Sequence, residues 1–561
     1  MKKTLCTLFS VFFLLLFSLP LWAYSSVTVP LEDPIYRQLD KLEAHGLIST
    51  RILGQRPYVR AEIARLLAEA LQNYPRFKQN YIEETSLRKK ARKLSAKIYV
   101  DRLLKQLERD YAVELAQIQS PLAPTVQGPL LDKLDLDFVY LDEAPLRLVQ
   151  DNGLGGLEAV ARPLTENREG RHYARGVNEA LETQHWLKLG SHVALQLQPR
   201  FQVQVARGAE SDENAVFLQR ASARFTFDKL DLQLGRDSLN WGPAKSGGLV
   251  FSNNARPLDF IKLSNVSPFH YPSVLRKMGW QQWTLVVANL GPEFQRSYPW
   301  LIAIKNSMRP HPNFELGISH SILLGGEGSG LGLGEGFAEF FGARDTQRPE
   351  SDRDASLDLN WRIPKLRGAQ LYAEFHFADF DSDPGVFFGQ DLSYLAGLYF
   401  PRLNPSGIVD LRLEYHRLSP RYARHQTYQE GRSLNQNLLG DPLGPQAQSF
   451  SVEMNYDMNP QTQVAFSFQY SRRDSDSFKI DRSGASLAQI RRTKDNPAET
   501  RYRGEFAWRH RMGPHIVSRV RVGLEQVSNF AFREGLDHFE WMGEAGLTFF
   551  WGDRAWVGPK Q

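Results

Sequence analysis

Hydrophobic and polar positions along this chain follow two different periods, and the change between them divides it. From Tyr24 to about Gln119 apolar residues recur at helical spacing. DPIYRQLDKLEAHGLI sets Ile35, Leu39 and Leu42 on one stripe and ends at Gly46, a residue suited to the left-handed cap of a helix. RPYVRAEIARLLAEAL carries Ile63, Leu66, Leu67 and Ala70 in the same way. From Ile82 to Ile118 the pattern predicts a long amphipathic helix with Leu87, Ala91, Leu94, Ile98, Leu104, Leu107 and Tyr111 on its apolar face. Arg88, Lys89, Lys90, Arg92, Lys93, Lys97, Arg102 and Lys105 lie opposite, as a solvated face or as a basic surface for anionic glycan or lipid.

After the linker SPLAPTVQGP, residues 120–129, the period becomes two. VALQLQPRFQVQV puts Val193, Leu195, Leu197, Phe201, Val203 and Val205 on one face and Gln196, Gln198, Arg200, Gln202 and Gln204 on the other. SLDLNWRI, AQLYAEFHF, VDLRLEYH, QVAFSFQY and RYRGEFAW alternate likewise, with charges such as Asp410, Arg412, Glu414 and His416 opposite the apolar face. Many of these runs approach the ~9 to 11 residues of a tilted membrane strand. Roughly 420 residues in units of about 23 give about 18 antiparallel strands. Lipid belongs on the apolar face, since the reverse would hide charges in hydrocarbon. Pro199 removes a ladder hydrogen bond and predicts a bulge. WMGEAGLTFFW, with Trp541, Ala545, Leu547, Phe549 and Trp551 on one face, resembles the terminal strand of outer-membrane barrels.

Composition narrows the picture. The first 23 residues, with Lys2 and Lys3 before an apolar run and Ala23 at its end, read as a secretory signal peptide. Cys6, the sole cysteine, lies within it, so the exported chain has no disulfide and no cysteine metal site. Losing the two signal lysines lowers the formal net charge from +5 to +3, too mild to imply a nucleic-acid partner. A mean hydropathy of −0.40 is compatible with a barrel whose apolar face is hidden in alternation, and an aromatic content of 12% favours one.

WGPAKSGGLVFSNNARP, residues 241–257, interrupts the strands. Its residue types suit an inward-folded plug, in which Asn253, Asn254 and Arg256 pin the segment to the lumen wall, or a sugar contact with Trp241 as stacking platform. Catalytic signatures are missing. GGEGSGLGLGEG holds neither a nucleotide-binding register nor a nucleophile elbow and reads as a flexible loop. His320 and Ser321 point to opposite faces of one strand, and DFDSDPG has Pro384 where a calcium loop needs glycine.

Two resemblances add to this. The helix pair at 24–78 resembles a single S-layer-homology module, a family whose modules hold cell-wall polymers. WGP with the following LVFSNNARP, GGEGSGLGLGEGFAEFFGARD, AQLYAEFHFADFD and HQTYQEGRSLNQNLLGDPLGPQAQSFSVEMNY together resemble the Wzi family of outer-membrane capsule-assembly proteins, over roughly residues 132–551. That resemblance implies an 18-stranded barrel closed by helices at its periplasmic mouth and a lectin-like role in attaching acidic polysaccharide. Trp241, Asn253, Asn254 and Arg256 are the motif residues it marks. The outward loops near Arg344–Arg353, Asp379–Gly385 and Arg421–Arg432 are further candidates for sugar contact.

The expected organisation is a signal peptide at 1–23, an S-layer-homology-like region at 24–78, a basic helix and linker at 79–129, an all-β transmembrane barrel at 130–551 and a tail at 552–561. The expected partners are capsular or extracellular polysaccharide and outer-membrane lipid. Peptidoglycan joins them if the helices reach the wall rather than plug the barrel. No cofactor, metal or catalytic residue is expected, and the alternative function is a carbohydrate-selective porin.

Overall fold

The computed structural model describes residues 24–551 apart from 83–86, 120–125, 150, 209, 246, 330–332, 341–350, 379–382, 460, 482–487 and 495. The expected signal peptide and the tail after Trp551 lie outside the described residues.

The N-terminal part is helical: α1 (Ile35–Ala44), α2 (Arg60–Ile82), α3 (Leu87–Asp110) and α4 (Ala112–Gln119). Helix α1 closes as its sequence predicts. Gly46 has φ +77°, and the Leu47 amide donates back to the Leu42 carbonyl at 3.0 Å. Ile35, Leu39, Leu42, Ile63, Leu66, Leu67 and Ala70 all join one buried cluster, completed by Val100, Leu104, Leu107 and Tyr111. Helix α2 runs to Ile82, past the boundary expected at residue 78.

In α3 one expectation fails, because Leu94 and Ile98 are exposed and Ala96, Val100 and Leu103 are buried instead. Over this part the inward stripe is rotated by about two residues, with the small Ala96 in place of a large side chain, whereas Leu104, Leu107 and Tyr111 are buried as expected. The side chains of Leu87 to Lys93 lie outside the described residues. Arg102 and Lys105 are exposed on the outer face. No helix among the described residues is long and apolar enough to cross a membrane.

The remainder is a closed barrel of 18 antiparallel strands, numbered in chain order from β1 (Lys133–Asp142) to β18 (His538–Phe550), which pair with each other to close it. Alternation drives the arrangement. On β3 (Val193–Ala206), Leu195, Leu197, Phe201, Val203 and Val205 face outward, while Gln196, Gln198, Arg200, Gln202 and Gln204 are buried in the lumen. The register of β3 against its neighbour shifts between Gln198 and Pro199, so the proline does sit at a bulge. Short hairpin turns lie at the end where the chain enters and leaves, and long connections such as 143–175, 238–257 and 418–446 lie at the other. In outer-membrane barrels these are the periplasmic and extracellular ends.

Helix α1 is fastened to the periplasmic end by charge. Arg37 pairs with Asp410 and Asp457, Lys41 donates to the Gly407 carbonyl at 2.7 Å and pairs with Asp457, and Glu43 pairs with Arg309. Arg362 adds a bond to the Glu43 carbonyl at 2.6 Å. These contacts hold α1 against the ends of the strands.

Candidate functional site

The 238–257 connection turns into the barrel instead of outward, and its glycines are what allow it. A Cβ on Gly248 would lie 1.8 Å from the Trp241 carbonyl oxygen, and Gly242, at φ +103°, would place one 2.3 Å from a Glu374 carboxylate oxygen. The descending arm reaches the N-terminal segment. Asn240 and Trp241 pair as a two-residue strand with Arg56 and Gln55, and the Gly242 amide donates to the Gly54 carbonyl at 3.0 Å.

Trp241 is 1% exposed. Its ring packs edge-on against Phe251 at 4.9 Å between centroids, and the Lys305 ammonium sits 6.0 Å from its centre. No face of it is left for a sugar, so the stacking-platform reading is corrected: this aromatic is core, inside a cluster with Phe251, Leu258 and Phe260.

The two asparagines pin loops, though to main-chain carbonyls rather than to charged walls. Asn253 donates to the Asn167 carbonyl at 2.7 Å and Asn254 to the Leu438 carbonyl at 3.1 Å. The Gly170 amide returns a bond to the Asn254 carbonyl at 2.9 Å, and Ser252 donates to the Leu439 and Gly440 carbonyls. One short stretch thus ties the 143–175, 238–257 and 418–446 connections into a single body. Arg256 touches this knot through its backbone, which lies against Gly170. It is half-buried, and its Nε finds no hydrogen-bond acceptor.

Where the three connections meet they leave a cleft of about 30 Å³ lined by Arg162, Glu166, His172, Asn254 and Asn437. Arg162 uses one terminal nitrogen on Glu210 at 2.8 Å, and its other, Nη1, is buried without an acceptor. His172 is exposed, with its Nε2 3.5 Å from the Asn437 amide nitrogen. The loops packed around its imidazole, and then the neighbouring Arg162 guanidinium, hold it below its ordinary value. The imidazole of His172 and the side-chain amides of Asn254 and Asn437 are suited to hydroxyl groups, and the Arg162 guanidinium adds a positive charge that favours carboxylates.

Of the residues marked in the sequence, only Asn254 lines this cleft. Arg162 and His172 escaped notice because no periodicity or motif marks them, and Asn437, inside the quoted 425–456 stretch, was not singled out from it; each matters only through residues far along the chain. The arginines near 421–432 are turned inward, which corrects that candidate. Arg421 pairs with Asp391, Arg424 donates to the Gly155 carbonyl at 3.2 Å, and Arg432 pairs with Asp352 and Asp354. Arg353 pairs with Glu339, while residues 344–350 and 379–382 lie outside the described residues. Asp383 is a helix cap, accepting from the Gly385 amide at 2.8 Å. Ser321 faces the lumen and takes a bond from Arg432, whereas His320 packs against Phe340.

The interior beneath the cleft is filled. Arg220 pairs with Glu169 and Asp237, Arg200 with Glu182, Lys305 with Asp358, and His416 with Asp441. The larger internal cavity, between the N-terminal segment and the wall, holds about 80 Å³, room for a few waters.

A search of curated proteins finds no match. Among solved structures it is similar to Wzi of Escherichia coli, described as an outer membrane protein involved in group 1 capsule assembly and a carbohydrate-binding β-barrel. The TM-score is 0.62 at 16% identity, over 94% of this chain and 99% of that one. OprD of Pseudomonas aeruginosa superposes with a TM-score of 0.41 at 10% identity, over 76% of this chain and 98% of that one. The family model described as capsule assembly protein Wzi matches residues 158–540. With that model spanning most of the barrel, the chain belongs to the Wzi family of capsule-assembly proteins of the outer membrane.

Proposed function

We propose that the protein binds capsular or related extracellular polysaccharide at the cell surface without altering it, and that the side chains around the small cleft among the three joined connections make contact with the sugar. The observation that carries this reading is the filling of the barrel. Helix α1 is clamped at the periplasmic end, interlocked loops and ion pairs occupy the lumen, and the small polar cleft lies among the extracellular connections. A barrel of this kind suits holding a polymer better than passing one, which sets the porin alternative aside. The E. coli relative, described as a carbohydrate-binding barrel, agrees with it.

The test is binding of the purified protein to the polysaccharide of its own cells. Wild type should retain the polymer and leave its chain length unchanged, and Arg162→Ala with His172→Ala should weaken retention about tenfold or more, the loss of roughly 1.4 kcal/mol or more of contact. Unchanged retention in that double variant would move the site elsewhere. Shortening of the polymer would make the protein an enzyme.

The barrel clamp on α1 supports a plug role for the helices. Contact with peptidoglycan is left to the outer face of α3 with Arg102 and Lys105. Sedimentation of the full protein with purified peptidoglycan, lost when both are changed to glutamine, is the outcome that would add the wall as a partner.

A further inference from the structure

Three carboxylates meet at the extracellular end of the seam where the barrel closes. Glu143 follows the last residue of β1, Glu540 lies near the start of β18, and Glu525 near the end of β17 (Ile516–Ser528). An oxygen from each lies within 4.8 Å of the others, and all three residues are buried. Glu143 is fully buried; its Oε1 accepts the Leu164 amide at 3.0 Å, while its Oε2 has no hydrogen-bond partner. A solvent-excluded carboxylate oxygen with nothing to bind is costly unless something occupies its other side.

Charge gives the same answer. Arg501 pairs with Glu525 at 2.6 Å, Glu540 at 3.2 Å and Glu499 at 2.8 Å, and Arg473 lies 3.5 Å from Glu499. The next cation, Arg503, is paired with Glu166. Four buried carboxyl groups therefore share two guanidiniums. Ligands on opposite sides of a calcium ion are separated by about 5 Å, twice a Ca–O bond of 2.3–2.6 Å, and hard oxygen donors of flexible geometry are what calcium takes.

We propose that Glu143, Glu525 and Glu540 bind one calcium ion, with waters completing its shell, and that the ion locks the 143–175 connection to the closing seam. Leu164, whose amide rests on Glu143, belongs to a buried cluster with Val139, Leu141, Tyr173 and Met542, so a fixed Glu143 also fixes the middle of that connection.

The experiment uses the full protein in detergent, freed of lipopolysaccharide and stripped with EDTA, titrated with calcium chloride by calorimetry and followed by thermal unfolding. Wild type should take up one ion per chain, with a rise in unfolding temperature of several degrees. Glu143→Gln should lose both responses. In EDTA the same variant should be about as stable as wild type, because glutamine fills the same space and keeps an oxygen for the Leu164 amide, and this also shows that it folds. Absence of calcium uptake by wild type at millimolar concentration would overturn the proposal, as would undiminished uptake by Glu143→Gln or by a second variant, Glu540→Gln. The outcome is independent of polysaccharide retention, which reports on the cleft.

Discussion

At the scale of single residues, Trp241 and Arg162 show two opposite fates of a loop side chain. Trp241 is conspicuous in the sequence and is buried among Phe251 and its neighbours, whereas Arg162 is inconspicuous and leaves a donor unpaired beside an exposed imidazole. Trp241→Ala should therefore cost about 3–5 kcal/mol of stability, seen as a lower temperature for loss of the compact form in electrophoresis, with sugar retention intact in the protein that stays folded. Arg162→Ala should do the reverse, because its partly exposed pair with Glu210 contributes at most about 1 kcal/mol. Asn254 was legible beforehand because its type and place in a glycine-rich stretch implied a donor fixing a loop. Its acceptor was not, since Leu438 lies in another connection and a carbonyl carries no sequence signature.

At the scale of elements, strands were more legible than helices. An alternation of two between lipid and lumen leaves no freedom of phase, so the faces of β3 and the bulge at Pro199 could be read directly. A helical stripe drifts, and in α3 the small buried Ala96 lost out to the larger Leu94 and Ile98, which the structure exposes. The glycine-rich run after Gly325 read as a flexible loop, yet a helix, Leu333–Phe340, forms within it, where Phe340 packs on His320. The clamp of α1 also makes a prediction about pH. Burial pushes the Glu43 carboxyl up, but the guanidiniums of Arg309, Arg51 and Arg362 outweigh burial and hold it below its ordinary value. The stabilisation it supplies is complete above about pH 4.3, the unfolded carboxylate value, and fades as pH falls through the lower folded value. Acid, not alkali, should loosen the plug, measured as protease cleavage within α2 that rises below that pH. Glu43→Gln should show the cleavage already at neutral pH.

At the scale of the whole molecule, the strand number followed from length and period, and the organisation into helices and barrel from the change of period. An inward-folded 241–257 segment was expected from its residue types, but not what it would meet, because that depends on pairings such as Arg56 with Asn240 between segments that no local pattern connects. Closure is testable in planar bilayers. The full protein should be silent, and a version lacking residues 24–119 should pass current; steady conductance in the full protein, blocked by sugars, would restore the porin reading.

The backbone pairing of Gln55 and Arg56 with Asn240 and Trp241 has a mechanical meaning as well. It joins the surface knot of loops to the periplasmic helices by main-chain bonds that run through the pore, beside the wall rather than along it. Drag on a polymer held at the cell surface is then carried by two members in parallel, the strands embedded in lipid and the central strut anchored by α1. Pulling on an outer loop in single-molecule force measurements should release the helices first, as a short early extension, before any strand leaves the membrane.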